Sequence, residues 1–258
     1  MTPERVSFNS GKYRLFGTFF VPESVKKPLP SLVYCSGFPG DWDSAVKIAE
    51  GLSNGGYCAL AFDFRGIRES EGEVDFASQI DDLKAALTYL ETIPEVNKDS
   101  IGVVGHCMGG QVALVTAAKD PRVKAVVVWD TPGNYKRSLR RMRSLRGRIF
   151  FMIYPWSKRS QYRGKDIADQ SRGLGKMDPM DYVKQISPRP LLIIHRRWDR
   201  VVSARHAHEL YEQAEEPKKI VIAKGRSHTD SDSFYSSAER GDGAIKTTLD
   251  WLGSVLRQ

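Results

Sequence analysis

Long apolar runs are missing from this 258-residue chain, and none approaches the roughly 20 residues that cross a bilayer, so a helical membrane protein is excluded. Cysteine is scarce, with three in all, and there is no Cys-x-x-Cys pair and no His-Glu-x-x-His. That pattern excludes a disulfide scaffold and gives no motif for a metal or other cofactor. Cys35 and Cys58 lie inside apolar, strand-like runs, which points to reduced, buried thiols and a cytoplasmic location. The opening Met1-Thr-Pro-Glu-Arg-Val6 is polar and lacks a signal-peptide pattern.

Charge is present but uneven. The chain carries a net +8. Residues 131–185 hold 14 Lys and Arg against 4 Asp and Glu, while the remainder is close to neutral. A basicity confined to one segment disfavours a protein that coats nucleic acid. The basic segment is open to a small anionic partner, and no membrane partner is expected. The oligomeric state is not legible.

Outside that segment, short apolar runs alternate with amphipathic ones. Residues 5–21 read as a β-hairpin turning at Asn9 to Lys12. Strands follow at Ser31–Cys35, Tyr57–Phe62, Ser100–Val104, Val123–Trp129, Pro190–His195 and Lys219–Ala223. Helices are predicted at Trp42–Asn54, Phe76–Leu90, Gln111–Lys119, Ala204–Ala214 and Ala244–Leu256. This rhythm implies an α/β fold, with a mostly parallel eight-stranded sheet covered on both faces. Residues 131–185 break the rhythm and read as a basic cap inserted into a core made of 1–130 and 186–258. Within the cap, Tyr154, Trp156 and Arg140 are candidates for lining a substrate pocket.

Between a strand and a helix runs Gly105-His-Cys-Met-Gly-Gly110. A cysteine there is commonly a small buried hydrophobe. The order of strand, tight turn and helix favours a nucleophile instead, because glycines at 105 and 109 leave room for a strained turn. The helix start favours thiolate over thiol and leaves the Met108 N–H to bind a developing oxyanion. Later strand ends carry Asp199 and then His228, so nucleophile, acid and histidine follow one another in chain order. Asp130 is the rival acid. His106 is expected to point away from the cleft, His195 to be packed, and His206 and His208 to be solvated on a helix.

These motifs resemble those of the α/β hydrolases. His195-Arg-Arg-Trp-Asp199-Arg-Val-Val is similar to the H-G-x-x-D-x-x-V acid loop. Ser36-Gly-Phe-Pro-Gly40 is similar to the H-G-F-x-G oxyanion loop, and Asp63-Phe-Arg-Gly66 to the D-x-R-G turn. The cysteine elbow resembles that of dienelactone hydrolases, while the loops and cap look more like small esterases. Ser36, Arg196 and Cys107 stand where His, Gly and Ser are usual. The resemblance implies an ester, lactone or thioester hydrolase of small acyl substrates with Cys107, His228 and Asp199 as triad and the N–H groups of Phe38 and Met108 as oxyanion hole. An acyltransferase on the same fold is the alternative, as is a serine esterase whose nucleophile has been replaced by Cys. A binding protein on this scaffold has no need of the complete triad order.

Overall fold

A computed structural model describes residues 3–23, 28–38, 40–134, 163, 177–225, 228 and 243–256. Eight strands form one sheet: β1 (Glu4–Ser10), β2 (Tyr13–Phe20), β3 (Leu29–Cys35), β4 (Cys58–Phe62), β5 (Val96–His106), β6 (Val123–Trp129), β7 (Leu191–Arg196) and β8 (Lys218–Ala223). Their order is β1-β2-β4-β3-β5-β6-β7-β8. The β1–β2 hairpin and the β2–β4 pair are antiparallel; β4, β3, β5, β6, β7 and β8 run parallel.

The central strands β3, β4, β6 and β7 are apolar on both sides because both sides are covered. On β3, Val33 and Cys35 enter one core while Leu32 and Tyr34 enter the other. On β6, Val126 and Val128 alternate in the same way with Val127 and Trp129. Helices α1 (Trp42–Asn54) and α5 (Ala244–Val255) cover the second face, through residues such as Ile48, Leu52 and Leu252. Helices α2 (Gln79–Glu91), α3 (Met108–Lys119) and α4 (Arg205–Gln213) cover the first, through Leu83, Leu114 and Leu210. Met177, Val183 and Ile186 are buried in that same core.

Two helix starts differ from the sequence expectation by three residues. Helix α2 begins at Gln79 rather than Phe76, because the Asp75 side chain takes the Ala77 N–H (3.2 Å) and holds a turn there. Helix α3 begins at Met108, three residues earlier than expected. Its glycines oppose a helix by propensity, but the packing demands them. A Cβ on Gly109 would lie 2.1 Å from the Cys35 carbonyl oxygen, and one on Gly110 would lie 1.9 Å from Thr131 Oγ1.

Arg163, within the basic segment, is spent on backbone. Its N–H donates to the Gly66 carbonyl and its own carbonyl accepts from the Val74 N–H, both at 2.7 Å. Its guanidinium donates to the carbonyls of Arg68 (2.7 Å), Gly72 (3.2 Å) and Ser70. The loop from Gly66 to Val74 is thus fastened to the segment at Arg163.

The close approach at Gly109 generates a prediction. Gly109→Ala must push the start of α3 off the end of β3, and overpacking of this kind costs typically 1–3 kcal/mol. Urea unfolding is expected to show a loss in that range or above. An unchanged midpoint would mean that the two backbones are not pressed together.

Candidate active site

The site gathers at the C-terminal ends of β5, β7 and β8. Strand β5 hands its chain to α3 through one residue, Cys107, with φ 51° and ψ −118°. A left-handed φ on a non-glycine residue costs of order 1–3 kcal/mol. Two bonds help to hold it: the Cys107 N–H donates to the Trp129 carbonyl (3.0 Å), and the Cys107 carbonyl accepts from the Gly110 N–H (3.1 Å). The side chain is half-buried. Gly37 passes so close that a Cβ there would sit 3.1 Å from Cys107 Cβ. Phe38 follows it, its ring packed edge-on against Phe76 at 5.1 Å. Met108 opens α3, where a helix leaves its N–H groups without intrahelical acceptors.

Asp199 and His228 meet. His228 Nδ1 lies 2.6 Å from Asp199 Oδ2. The other carboxylate oxygen, Oδ1, accepts from the N–H groups of Val201 (2.7 Å) and Val202 (2.9 Å). Burial works against the Asp199 anion, but the bond to His228, its positive charge and the two N–H groups outweigh it and hold the pKa below the ordinary value. His228 moves the other way. Burial disfavours its charged ring, yet the negative charge of Cys107 and the bond to Asp199 push its pKa up to about 10. Its second nitrogen, Nε2, is buried and has no acceptor at full hydrogen-bond geometry among the described residues. Cys107 sulfur is the neighbour that acts on the ring from outside the Asp199 bond.

The acid loop is braced. Its first two N–H groups beyond β7, at Arg197 and Trp198, donate to the carbonyls of Ala223 (2.9 Å) and Gly225 (3.1 Å), on the segment leading to His228. His195, fully buried, sets Nε2 2.9 Å from the Val202 carbonyl.

Asp130, the rival acid, is buried with φ 46° at the end of β6. Its carboxylate accepts from the Arg196 N–H (2.8 Å) and lies 3.1 Å from the Arg196 guanidinium. Burial raises its pKa in spite of Arg196 and His195. Arg196 stands where glycine is usual in the resembled loop, and Asp130 explains it. Donor atoms of His106, Asp130 and His228 fall within 4.8 Å of one another, as do those of Asp130, His195 and Asp199. The residue types suit a metal ion, but the cation that Asp130 requires is supplied by Arg196.

Two histidines sit differently from expectation. The His106 ring faces the His228 ring at 5.0 Å instead of pointing away. Burial, then the positive charge on His228 and Arg196, hold its pKa well below the usual imidazole value, so it packs there as a neutral ring. His206 is buried rather than solvated, and its Nδ1 accepts from the Asn134 N–H at 3.2 Å. His208, on the other helix face, is exposed. Tyr154, Trp156 and Arg140 lie outside the described residues. Next to the Cys107 elbow a crevice is lined by Ser36, Gly37, Phe38, Met108, Asp63, Phe64, Ile67 and Gln79. Asp63 is recognisable in sequence only as part of a turn motif, and Gln79 only as an ordinary helix position.

The α/β hydrolase fold family matches residues 30–142. A solved structure of the α/β hydrolase GrgF from Penicillium superposes with a TM-score of 0.80 at 22% identity, covering all of both chains. A Pyrococcus furiosus esterase superposes at 0.73 with 20% identity, covering 99% of this chain and 93% of the other. The chain has the α/β hydrolase fold. In sequence it is 23% identical to protein YfhR of Escherichia coli over 98% of this chain and 81% of that one. It is 27% identical to the polyketide transferase GrgF over 78% and 81%. Within the α/β hydrolase fold the crevice, Cys107 and His228 occupy the strand-end face where open α/β sheets bind ligands.

The charge coupling can be tested directly. In the parent, nuclear magnetic resonance is expected to show the His228 ring holding its proton to about pH 10. Cys107→Ser removes the sulfur that helps to raise it, and the titration is expected to move clearly downward. The sign for stability follows. With its folded pKa raised above 6.5, His228 contributes stability in full below that pH and loses it as pH rises through about 10. A parent His228 that titrates near 6.5 contradicts the coupling.

Proposed function

We propose that the protein hydrolyses carboxylic esters, including lactones and thioesters, through a Cys107–His228–Asp199 triad. The observation that carries this reading is a cysteine in a strained elbow beside a buried histidine, itself bonded to a buried-side carboxylate at 2.6 Å. The sulfur attacks the carbonyl carbon, and the N–H groups of Phe38 and Met108 hold the oxyanion. As the tetrahedral intermediate collapses, the bond to the leaving oxygen or sulfur breaks and His228 gives that atom its proton. Asp199 fixes the ring tautomer and stabilises its charged form. Water, deprotonated by His228, then attacks the thioester, releasing the acid and restoring the thiol. The cysteine elbow supports a dienelactone-hydrolase-like chemistry. Tyr154, Trp156 and Arg140 remain candidates for the pocket wall.

Acyl transfer is a second reading, favoured by the likeness to a Penicillium polyketide transferase. The same thioester then passes its acyl group to an alcohol, amine or thiol instead of water. A primary alcohol added to the assay separates the two: transfer gives a new ester, hydrolysis gives only the acid.

The test uses p-nitrophenyl acetate and butyrate with the parent and with Cys107→Ser, before and after iodoacetamide. Activity in the parent is expected to fall at least 100-fold on alkylation and on the serine change. Full activity after stoichiometric alkylation of Cys107 would overturn the assignment. A silent parent with an active serine variant would mark Cys107 as a disabling replacement in a serine esterase.

A further inference from the structure

His228 belongs to the chain that leaves β8, and β8 stands three strands away from β5 in the sheet. With strands ~4.8 Å apart, that separation is about 14 Å. The imidazole nevertheless lies beside the end of β5. Asp199, from the loop after β7, bonds Nδ1 and fixes the way the ring points. A bond to the ring does not by itself fix where the main chain of His228 sits.

His106 supplies a second hold. It is the last residue of β5, paired in register with Trp129 of β6, and it immediately precedes the strained Cys107. Its ring faces the His228 ring, with centroids 5.0 Å apart and planes inclined at 37°. A hydrogen bond joins the His106 ring to the His228 backbone. That bond favours the charged form of His106, so the ring N–H donates and the His228 carbonyl accepts. From behind, the chain of Gly37 closes on His106: a Cβ at that glycine would lie 3.4 Å from His106 Nδ1.

A neutral ring suits this task, because it keeps one N–H to donate and does not repel a charged His228. His228, Arg196 and His195 all oppose a proton on His106. Asp130 has a carboxylate oxygen within 4.8 Å of ring nitrogens of both His106 and His228, and it is paired with Arg196.

We infer that His106 is a positioning residue: by holding the main chain of His228 against the end of β5, it sets the imidazole within reach of Cys107. This rests on the triad reading above and adds a side chain that acts through His228.

The test uses His106→Phe, which fills a similar space without a donor, and His106→Gln, which keeps an N–H and loses the ring. Three quantities are read: the rate of Cys107 alkylation by iodoacetamide at pH 7, the His228 titration by nuclear magnetic resonance, and kcat and KM for p-nitrophenyl butyrate. In His106→Phe, alkylation is expected to slow at least fivefold, and kcat to fall at least tenfold with KM within twofold. The His228 titration is expected to move down from about 10. Loss of a neighbouring imidazole alone would move it up, so the downward shift reports lost placement. His106→Gln is expected to recover most of each change. Parent-like alkylation and titration in His106→Phe, or a glutamine variant no better than the phenylalanine one, overturns the inference. So does a lowered urea midpoint with an unchanged titration, which makes His106 a packing residue. Alkylation and titration need no ester, so a parent inactive on the butyrate ester counts against the hydrolysis reading, and the other two readouts still decide the role of His106.

Discussion

Cys107 holds a backbone conformation that an L-residue avoids, and the surrounding chain is shaped to keep it there. The turn is tight because α3 starts immediately after β5. That start is possible only because Gly109 and Gly110 let the helix press against the end of β3 and against Thr131. The same closeness brings Gly37 against Cys107, and Phe38 and Met108, the next residues along each chain, line one crevice. One strained residue thus requires two glycines in a helix, a matching loop after β3, and the central place of β5 between β3 and β6.

Around that turn the charges form two layers. In the outer layer His228 lies between the sulfur of Cys107 and the carboxylate of Asp199, and both favour its charged form. In the inner layer Asp130 is paired with Arg196. The two layers share one loop, since Arg196 begins the turn that carries Asp199. Asp130 thus braces the start of the loop that carries Asp199 and does not itself bond to the His228 ring. The neutral His106 ring fills the space beside His228, where a second imidazolium would be repelled.

Much of this was legible because local signals coincide with tertiary demands. Runs such as Val123–Trp129 are apolar except at Lys124, and both faces of that strand are indeed covered. The tight turn at Cys107 and the meeting of Asp199 with His228 were recognisable from glycine spacing and chain order. Helix starts were less legible. Propensity places Gly109 and Gly110 outside a helix, whereas packing places them in its first turn. His106 and His206 were misjudged because a histidine carries no sequence mark of its neighbours; both are settled by contacts from distant segments. Arg163 shows the same limit: in sequence it is one arginine of a basic segment, and in the structure it is defined by the distant loop from Gly66 to Val74.

The central claim is that the Cys107 sulfur carries the acyl group during turnover. The direct measurement is rapid acid quench of the protein with p-nitrophenyl butyrate, followed by mass spectrometry of the intact chain and of its peptides. A mass gain of one butyryl group, located on the peptide containing Cys107 and removed by neutral hydroxylamine, is the result the account predicts. Steady ester turnover with no adduct on that peptide, or with the adduct on another residue, would contradict it.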